Sequence, residues 1–180
     1  MRNLTRAIGA LLLTGAIVAT GVTPASADEH KIVILWRLQN TADTDYEYTT
    51  DQNEIDAKLS QGYRREGSAG RVFTQYYHPE GTIRFYQWYS AEATDHLYTT
   101  EDRPEPITVD GHRYVRSNVD EQLYALPAGS AEGRPLVELY KHDSHQSTHF
   151  YTVDEKEIDA AVSAGYRVQG TIARILPPQD

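Results

Sequence analysis

Residues 48–71 and 151–174 align without a gap at a constant offset of 103, and thirteen of the twenty-four positions are identical. Tyr48/Tyr151, Asp51/Asp154, Glu54/Glu157, Gly62/Gly165 and Tyr63/Tyr166 are among the matches. Duplication on this scale restricts the fold to a core assembled from copies of one unit. The offset is about twice fifty, which predicts a middle copy. Thr94-Asp95-His96-Leu97-Tyr98-Thr99-Thr100 supplies it, matching Thr44-Asp45-Tyr46-Glu47-Tyr48-Thr49-Thr50 at an offset of 50. Upstream, Trp36-Arg37-Leu38-Gln39 corresponds to Tyr86-Gln87-Trp88-Tyr89 and to Val137-Glu138-Leu139-Tyr140. Three repeats are expected, over about 32–79, 80–131 and 132–180, together forming one domain over 28–180.

Within a repeat the local signals change in a fixed order. Ile32 to Leu38 is β-branched and aromatic and reads as a strand, and Tyr46 to Thr50 reads as its return. Asp51-x-x-Glu54 predicts a capping box, with Ile55 and Leu59 on one helical face and Gly62 as the left-handed stop. The third copy repeats this with Asp154, Glu157, Ile158, Val162 and Gly165. In the second copy Pro104 and Pro106 fall where the helix belongs, so that helix is expected to be lost or shortened. A further strand follows each glycine. The expected fold is mostly β with short helices, pseudo-threefold and β-trefoil-like. A small three-bladed or irregular pseudo-threefold β assembly is the alternative, since closure of either kind removes exposed sheet edges.

The first residues predict export. Arg2 and Arg6 precede an apolar stretch around Leu11, Leu12 and Leu13, and Ala25-Ser26-Ala27 has the small-x-small pattern of a cleavage site. Residues 1–27 are therefore expected to be a signal peptide and the chain to be secreted. The apolar run is too short for a membrane anchor, and no stable insertion is expected after cleavage. Cleavage removes two arginines, which takes the formal charge from −9 to −11. That balance argues against nucleic acid and anionic surfaces, and leaves neutral glycans or extracellular proteins as partners. There is no cysteine, so packing must supply the stability.

The copies resemble a bacterial and fungal secreted repeat family of unknown function. The likeness lies in Trp36-Arg37-Leu38, Asp95-His96-Leu97-Tyr98-Thr99-Thr100, His149-Phe150-Tyr151-Thr152, Gly62-Tyr63 and Glu66-Gly67-Ser68-Ala69, and covers nearly all of 28–180. It implies an extracellular accessory or binding role. The first copy departs from the pattern, with Tyr46-Glu47 in place of His-Phe.

Tyr46, His96 and His149 are equivalent positions, each two residues before a tyrosine and so on the same strand face as Tyr48, Tyr98 and Tyr151. These six residues and Asp95 are the candidate ligand-binding set. The competing reading is that they are core groups hydrogen-bonded between repeats. Thirteen tyrosines against three phenylalanines favour rings with one wet end, as a sugar-stacking surface needs. His142, His145 and His149 are a weak candidate metal set whose spacing matches no sharp signature. Asp95 and His96 are strand neighbours facing opposite ways, so their adjacency makes no dyad. No catalytic residue and no cofactor is nominated. A lectin-like, non-enzymatic binding module for a neutral glycan, acting as a monomer, is expected. A secreted protein-binding factor or hydrolase inhibitor is one alternative. An extracellular hydrolase with an unrecognised site is another.

Overall fold

The computed structural model describes residues 32–117, 122–142 and 146–178. The proposed leader and His145 lie outside these residues. Strands dominate, joined by two nine-residue helices.

Three antiparallel meanders share one connectivity. β1 (Ile32–Gln39) lies between β2 (Tyr46–Thr49) and β3 (Arg64–Thr74). β4 (Ile83–Ser90) lies between β5 (Asp95–Thr99) and a hairpin formed by β6 (Ile107–Val109) and β7 (His112–Arg116), with β7 its direct neighbour. A short β8 (Leu123–Ala125) pairs with both β3 and β4. β9 (Arg134–His142) lies between β10 (Ser147–Thr152) and β11 (Arg167–Ile175). In each meander the strand that comes first in the chain is central.

The two helices, α1 (Gln52–Ser60) and α2 (Glu155–Ser163), occupy equivalent places after β2 and β10. Asp51 and Asp154 cap them, accepting from the N–H groups of Asn53 and Lys156 at 2.8 Å. The expected capping box is modified. The Asp51 N–H donates to Thr49 Oγ1 at 3.1 Å, and the Thr49 hydroxyl donates to Glu54. Asp154, Thr152 and Glu157 repeat the relay. Threonine at the end of the strand thus carries the hydrogen bond that glutamate was expected to make to backbone. Ile55 is fully buried, but Leu59 and Val162 are exposed, so only the first turn of the predicted apolar stripe packs inward. No helix forms between β5 and β6, where Pro104 and Pro106 lie.

One core spans all three meanders: Leu35, Tyr48, Val72, Phe85, Tyr98, Leu136, Tyr151 and Ile175 pack together. The last meander is tied to the others by bridges from Leu176 to Arg71 and from Arg174 to Leu126. Gly70 permits the first of these. A Cβ there would stand 2.6 Å from Ile175 Cδ1 and 2.7 Å from the Leu176 carbonyl, and its φ of +145° is open to glycine alone.

At the centre, three tyrosines bond in a ring. The Tyr98 hydroxyl accepts from the Tyr48 N–H at 2.7 Å and donates to the Tyr48 carbonyl at 3.1 Å. Tyr48 makes the same pair of contacts to Tyr151, and Tyr151 to Tyr98. The rings meet edge to face, with centroids 5.2–5.7 Å apart, an arrangement worth about 0.5–1.5 kcal/mol per pair beyond burial. Burial drives all three phenols above their ordinary pKa, and they stay neutral. Tyr48, Tyr98 and Tyr151 are each at most 2% exposed, and their hydroxyls satisfy backbone groups of a neighbouring meander.

Candidate functional site

Around the tyrosine ring each meander reaches into the next. The Asp95 carboxylate accepts from His149 twice, at Oδ1 from the backbone N–H (2.9 Å) and at Oδ2 from Nδ1 (2.5 Å). It also accepts from the Tyr114 hydroxyl at 2.7 Å. Asp45 repeats the pattern one meander earlier, accepting from the His96 N–H (3.0 Å), His96 Nδ1 (2.9 Å) and the Tyr63 hydroxyl (2.7 Å). All four of these Asp and His side chains are buried. The bonds join units 51 to 54 residues apart, so the adjacent Asp95 and His96 serve different junctions.

The third junction is built differently. Tyr46 stands where the others have histidine, and Thr148 where they have aspartate. The Thr148 hydroxyl donates to the Thr44 carbonyl at 3.0 Å. Tyr46 accepts from Gln39 Nε2 at 2.7 Å and shares a hydrogen bond with Tyr166. Both members of the Asp–His pair are replaced together, which leaves neither a buried carboxylate nor an imidazole without its partner.

The charges beside the two imidazoles come from different strands. His96 Nε2 faces Glu47 Oε1 at 4.0 Å, and His149 Nε2 faces Glu138 Oε1 at 3.8 Å. Glu47 lies on β2, at the edge of its meander, and Glu138 on the central strand β9. Lys58 Nζ sits 2.6 Å from Glu47 Oε2 and pairs with its charge, while the carboxylate itself is fully buried. Burial pushes Glu47 up to about 7, against the pull of His96 and Lys58. Burial also opposes the charge on His96, but Asp45 outweighs it and the imidazole is raised above its ordinary value. Glu138 is raised, chiefly by burial.

A cleft of about 290 Å³ opens over the second pair, bounded by Leu97, Thr99, Arg103, Asp110, Glu138, Tyr140, His149 and Gln169. Its outer wall is the tip of the β6–β7 hairpin. Val109 pairs with His112, so Asp110 and Gly111 form a two-residue turn, with φ of 47° and 86°, as a type I′ turn requires. The Tyr140 hydroxyl donates to Asp110 Oδ2 at 2.5 Å and fixes this tip. The Tyr140 ring stacks on His149 with centroids 4.4 Å apart. Arg103 is held by Glu101 through Nε and Nη2. Glu138 Oε1 lies 3.2 Å from the Tyr151 hydroxyl. Carboxylates, a guanidinium, an amide, an imidazole and an aromatic ring thus converge, most of them locked from behind.

A model of a domain of unknown function, DUF5648, matches residues 34–176. The chain belongs to that family. No curated protein and no solved structure matches it. DUF5648 membership leaves the chemistry to be read from the site itself.

Of the residues nominated from sequence, His149 lines the cleft, while Asp95 lies beneath it as the acceptor that orients His149. Tyr98 contributes to the cleft's floor and Tyr151 only reaches Glu138 from below. His96 and Tyr46 belong to the other two junctions. His142 hydrogen-bonds through Nδ1 to the Ser147 hydroxyl at 3.1 Å, while His149 is committed to Asp95. The described residues contain no cluster of three acids or histidines able to hold a metal ion. Sequence reading missed Arg103, Asp110, Glu138 and Tyr140. Glu138 and Tyr140 carried a signal, since they occupy repeated positions at which the chain varies (Arg37/Gln87/Glu138 and Gln39/Tyr89/Tyr140).

Proposed function

We propose that the chain is an extracellular binding module that holds a neutral glycan in the cleft beneath the β6–β7 tip, without catalysing a reaction. The observation that supports this most is the prearranged lining. Arg103, Asp110, Glu138 and the His149 imidazole offer donors and acceptors of both kinds, which suits an uncharged ligand rich in hydroxyls. Each is held by a second residue, so little conformational freedom is lost on binding. Tyr140 adds an aromatic surface, and the volume fits one or two sugar units.

In the same reading the three meanders are copies of one unit set about a pseudo-threefold axis, as blades whose inner strands β2, β5 and β10 carry the tyrosine ring. The shared strand order, with the chain-first strand central each time, favours three blades over a β-trefoil. Export follows from the leader pattern in residues 1–27.

The test is a neutral-glycan array probed with the secreted chain and with Glu138→Ala. The proposal expects a bound glycan whose retention falls at least tenfold in the variant. Silence across every neutral glycan would end it. A hydrolase is the second reading, favoured by one feature: Asp95 orients His149 Nδ1, leaving Nε2 on the Glu138 side as a general base would be placed. Release of reducing ends from a bound glycan would turn the assignment to that reading.

A further inference from the structure

We infer that the chain carries a second glycan subsite at the junction of the third meander with the first, of the same ligand class but with an apolar floor. It rests on the reading of the first cleft. A second cleft, about 310 Å³, lies there, and strand position by strand position it is the counterpart of the first. Tyr46 occupies the place of His149, Gln39 that of Tyr140, Arg37 that of Glu138, Phe150 that of Leu97, and Glu66 that of Gln169.

What differs is the wall. In the first cleft it is the β6–β7 hairpin, which stands where proline has removed a helix. In the second it is α2, whose Ala160, Ala161 and Ala164 face the opening. Alanines one turn apart give a shallow apolar surface, and Phe150 and Tyr46, with ring centroids 4.7 Å apart, continue it. The charges here are paired: Glu66 lies 3.5 Å from Nε of Arg64, a residue outside the lining, and Glu157 meets Arg37. Arg37 donates to both oxygens of Glu157, at 2.8 and 2.6 Å. A charged ligand gains nothing from that pair, whereas hydroxyl groups can use the unshared lone pairs and N–H groups. Gln39 adds an amide, bound to Tyr46 through Nε2 and to Arg64 through Oε1. An apolar floor beneath fixed, mutually neutralised polar groups matches a pyranose that presents a C–H face downward and hydroxyls at its rim.

The two clefts are therefore alike in place and size but unequal in chemistry. The first is polar throughout. The second sets an apolar face against a rim of charges held in ion pairs, so it is expected to prefer sugars with a flat, uninterrupted C–H face.

Titration calorimetry and amide chemical-shift mapping of the intact chain with glucose, galactose, mannose and N-acetylglucosamine test this. Two variants fill one cleft each at exposed positions, Ala160→Trp for the second and Gln169→Trp for the first. The inference expects two equivalents of at least one sugar on the unaltered chain. Ala160→Trp should reduce this to one, with shifts remaining at Thr99 and Asp110. Gln169→Trp should also leave one, with shifts at Ala160 and Ala164. One equivalent that Ala160→Trp leaves untouched overturns the second subsite and spares the first. Shifts confined to Ala160 and Ala164 uphold the second subsite and remove the first. No shift at either cleft with any of the four sugars overturns both.

Discussion

His149 Nδ1 lies 2.5 Å from Oδ2 of Asp95, a residue 54 positions earlier in a different meander. The same carboxylate takes the His149 N–H and the Tyr114 hydroxyl, so one fully buried side chain satisfies three donors. It positions the imidazole under the cleft and fastens two meanders together.

Asp95→Ala is expected to strand those three donors. A buried donor left unpaired costs about 1–3 kcal/mol, so stranding three is expected to cost about 3–5 kcal/mol after relaxation. For a chain of this size that corresponds to a fall in Tm of roughly 10 °C. Asp95→Asn keeps an acceptor and should lose less than half as much. Thermal unfolding by circular dichroism decides between these outcomes. Equal losses in both variants would mean that the hydrogen bonds of Asp95 carry little of its contribution.

The repeat made the strands, both helix starts and the equivalence of Tyr46, His96 and His149 legible, because period and capping are local properties. The partners of those residues were not legible. Strand alternation turns Asp95 away from His96, but that it meets His149 depends on how one meander docks against the next. Leu59 and Val162 have the right spacing for a buried stripe, but α1 buries Ile55 in its first turn and α2 buries Ala161 in its last, leaving Leu59 and Val162 exposed. The tyrosine excess by itself points to rings with one wet end. Three of the thirteen, Tyr48, Tyr98 and Tyr151, lie in the core, and their hydroxyls face backbone groups that phenylalanine could not satisfy. Proline at 104 and 106 did foretell the missing helix, though not that the β6–β7 tip would become the wall of a cleft.

Glu47 makes stability depend on pH. Its carboxyl is raised from about 4.5 to about 7 by burial, so the folded chain binds more protons than the unfolded one between those values. Stability must fall as pH rises through that window. His96, also raised, acts in the same direction: its contribution is complete below the unfolded value near 6.5 and is lost as pH climbs through the folded one. Asp45, held below its ordinary value by His96 despite burial, sets the acid limit, losing its contribution as pH falls through its folded value. Maximum stability is expected on the mildly acidic side of neutral. Glu47→Leu, which copies Leu97 at the equivalent place, should gain on the order of 2 kcal/mol at pH 8. It should also flatten the decline from pH 4.5 to 7. Urea unfolding across that range measures it, and an unchanged slope would show that Glu47 does not cause the decline.

Glu54 and Glu157 close equivalent helix relays, but among the described residues only Glu157 also meets a guanidinium. The Arg37 hydrogen bonds hold Glu157 below its ordinary pKa against burial. Glu54→Ala should remove a capping contact, at about 1 kcal/mol. Glu157→Ala should cost about 1–3 kcal/mol more, because it leaves the largely buried Arg37 without its partner, moderated by the partial exposure of Glu157 itself. Adding Arg37→Met to Glu157→Ala should recover most of that difference. If the double variant is no more stable than Glu157→Ala, Arg37 is not the source of the extra cost.

The paired replacement at the third junction can be reversed. Tyr46 and Thr148 stand where the other two junctions have histidine and aspartate, and Tyr166 stands where Tyr63 and Tyr114 donate to the carboxylate. Thr148→Asp alone would bury an acid opposite a phenol, with no imidazole to share its charge, and is expected to cost about 3 kcal/mol. Tyr46→His alone would lose the contact with Phe150 and the bond from Gln39, for roughly 1–2 kcal/mol. Together they recreate the arrangement present twice already, with the Tyr166 hydroxyl free to turn from position 46 to the new carboxylate. The double variant should therefore be more stable than the sum of the single losses by about 2 kcal/mol or more, measured as a double-mutant cycle in urea. Sensitivity to acid should rise with it, since a third buried carboxylate must then be protonated before the chain unfolds. Strict additivity would mean that the Asp–His pairs tolerate no transfer between junctions and that the three junctions differ in geometry as well as in sequence.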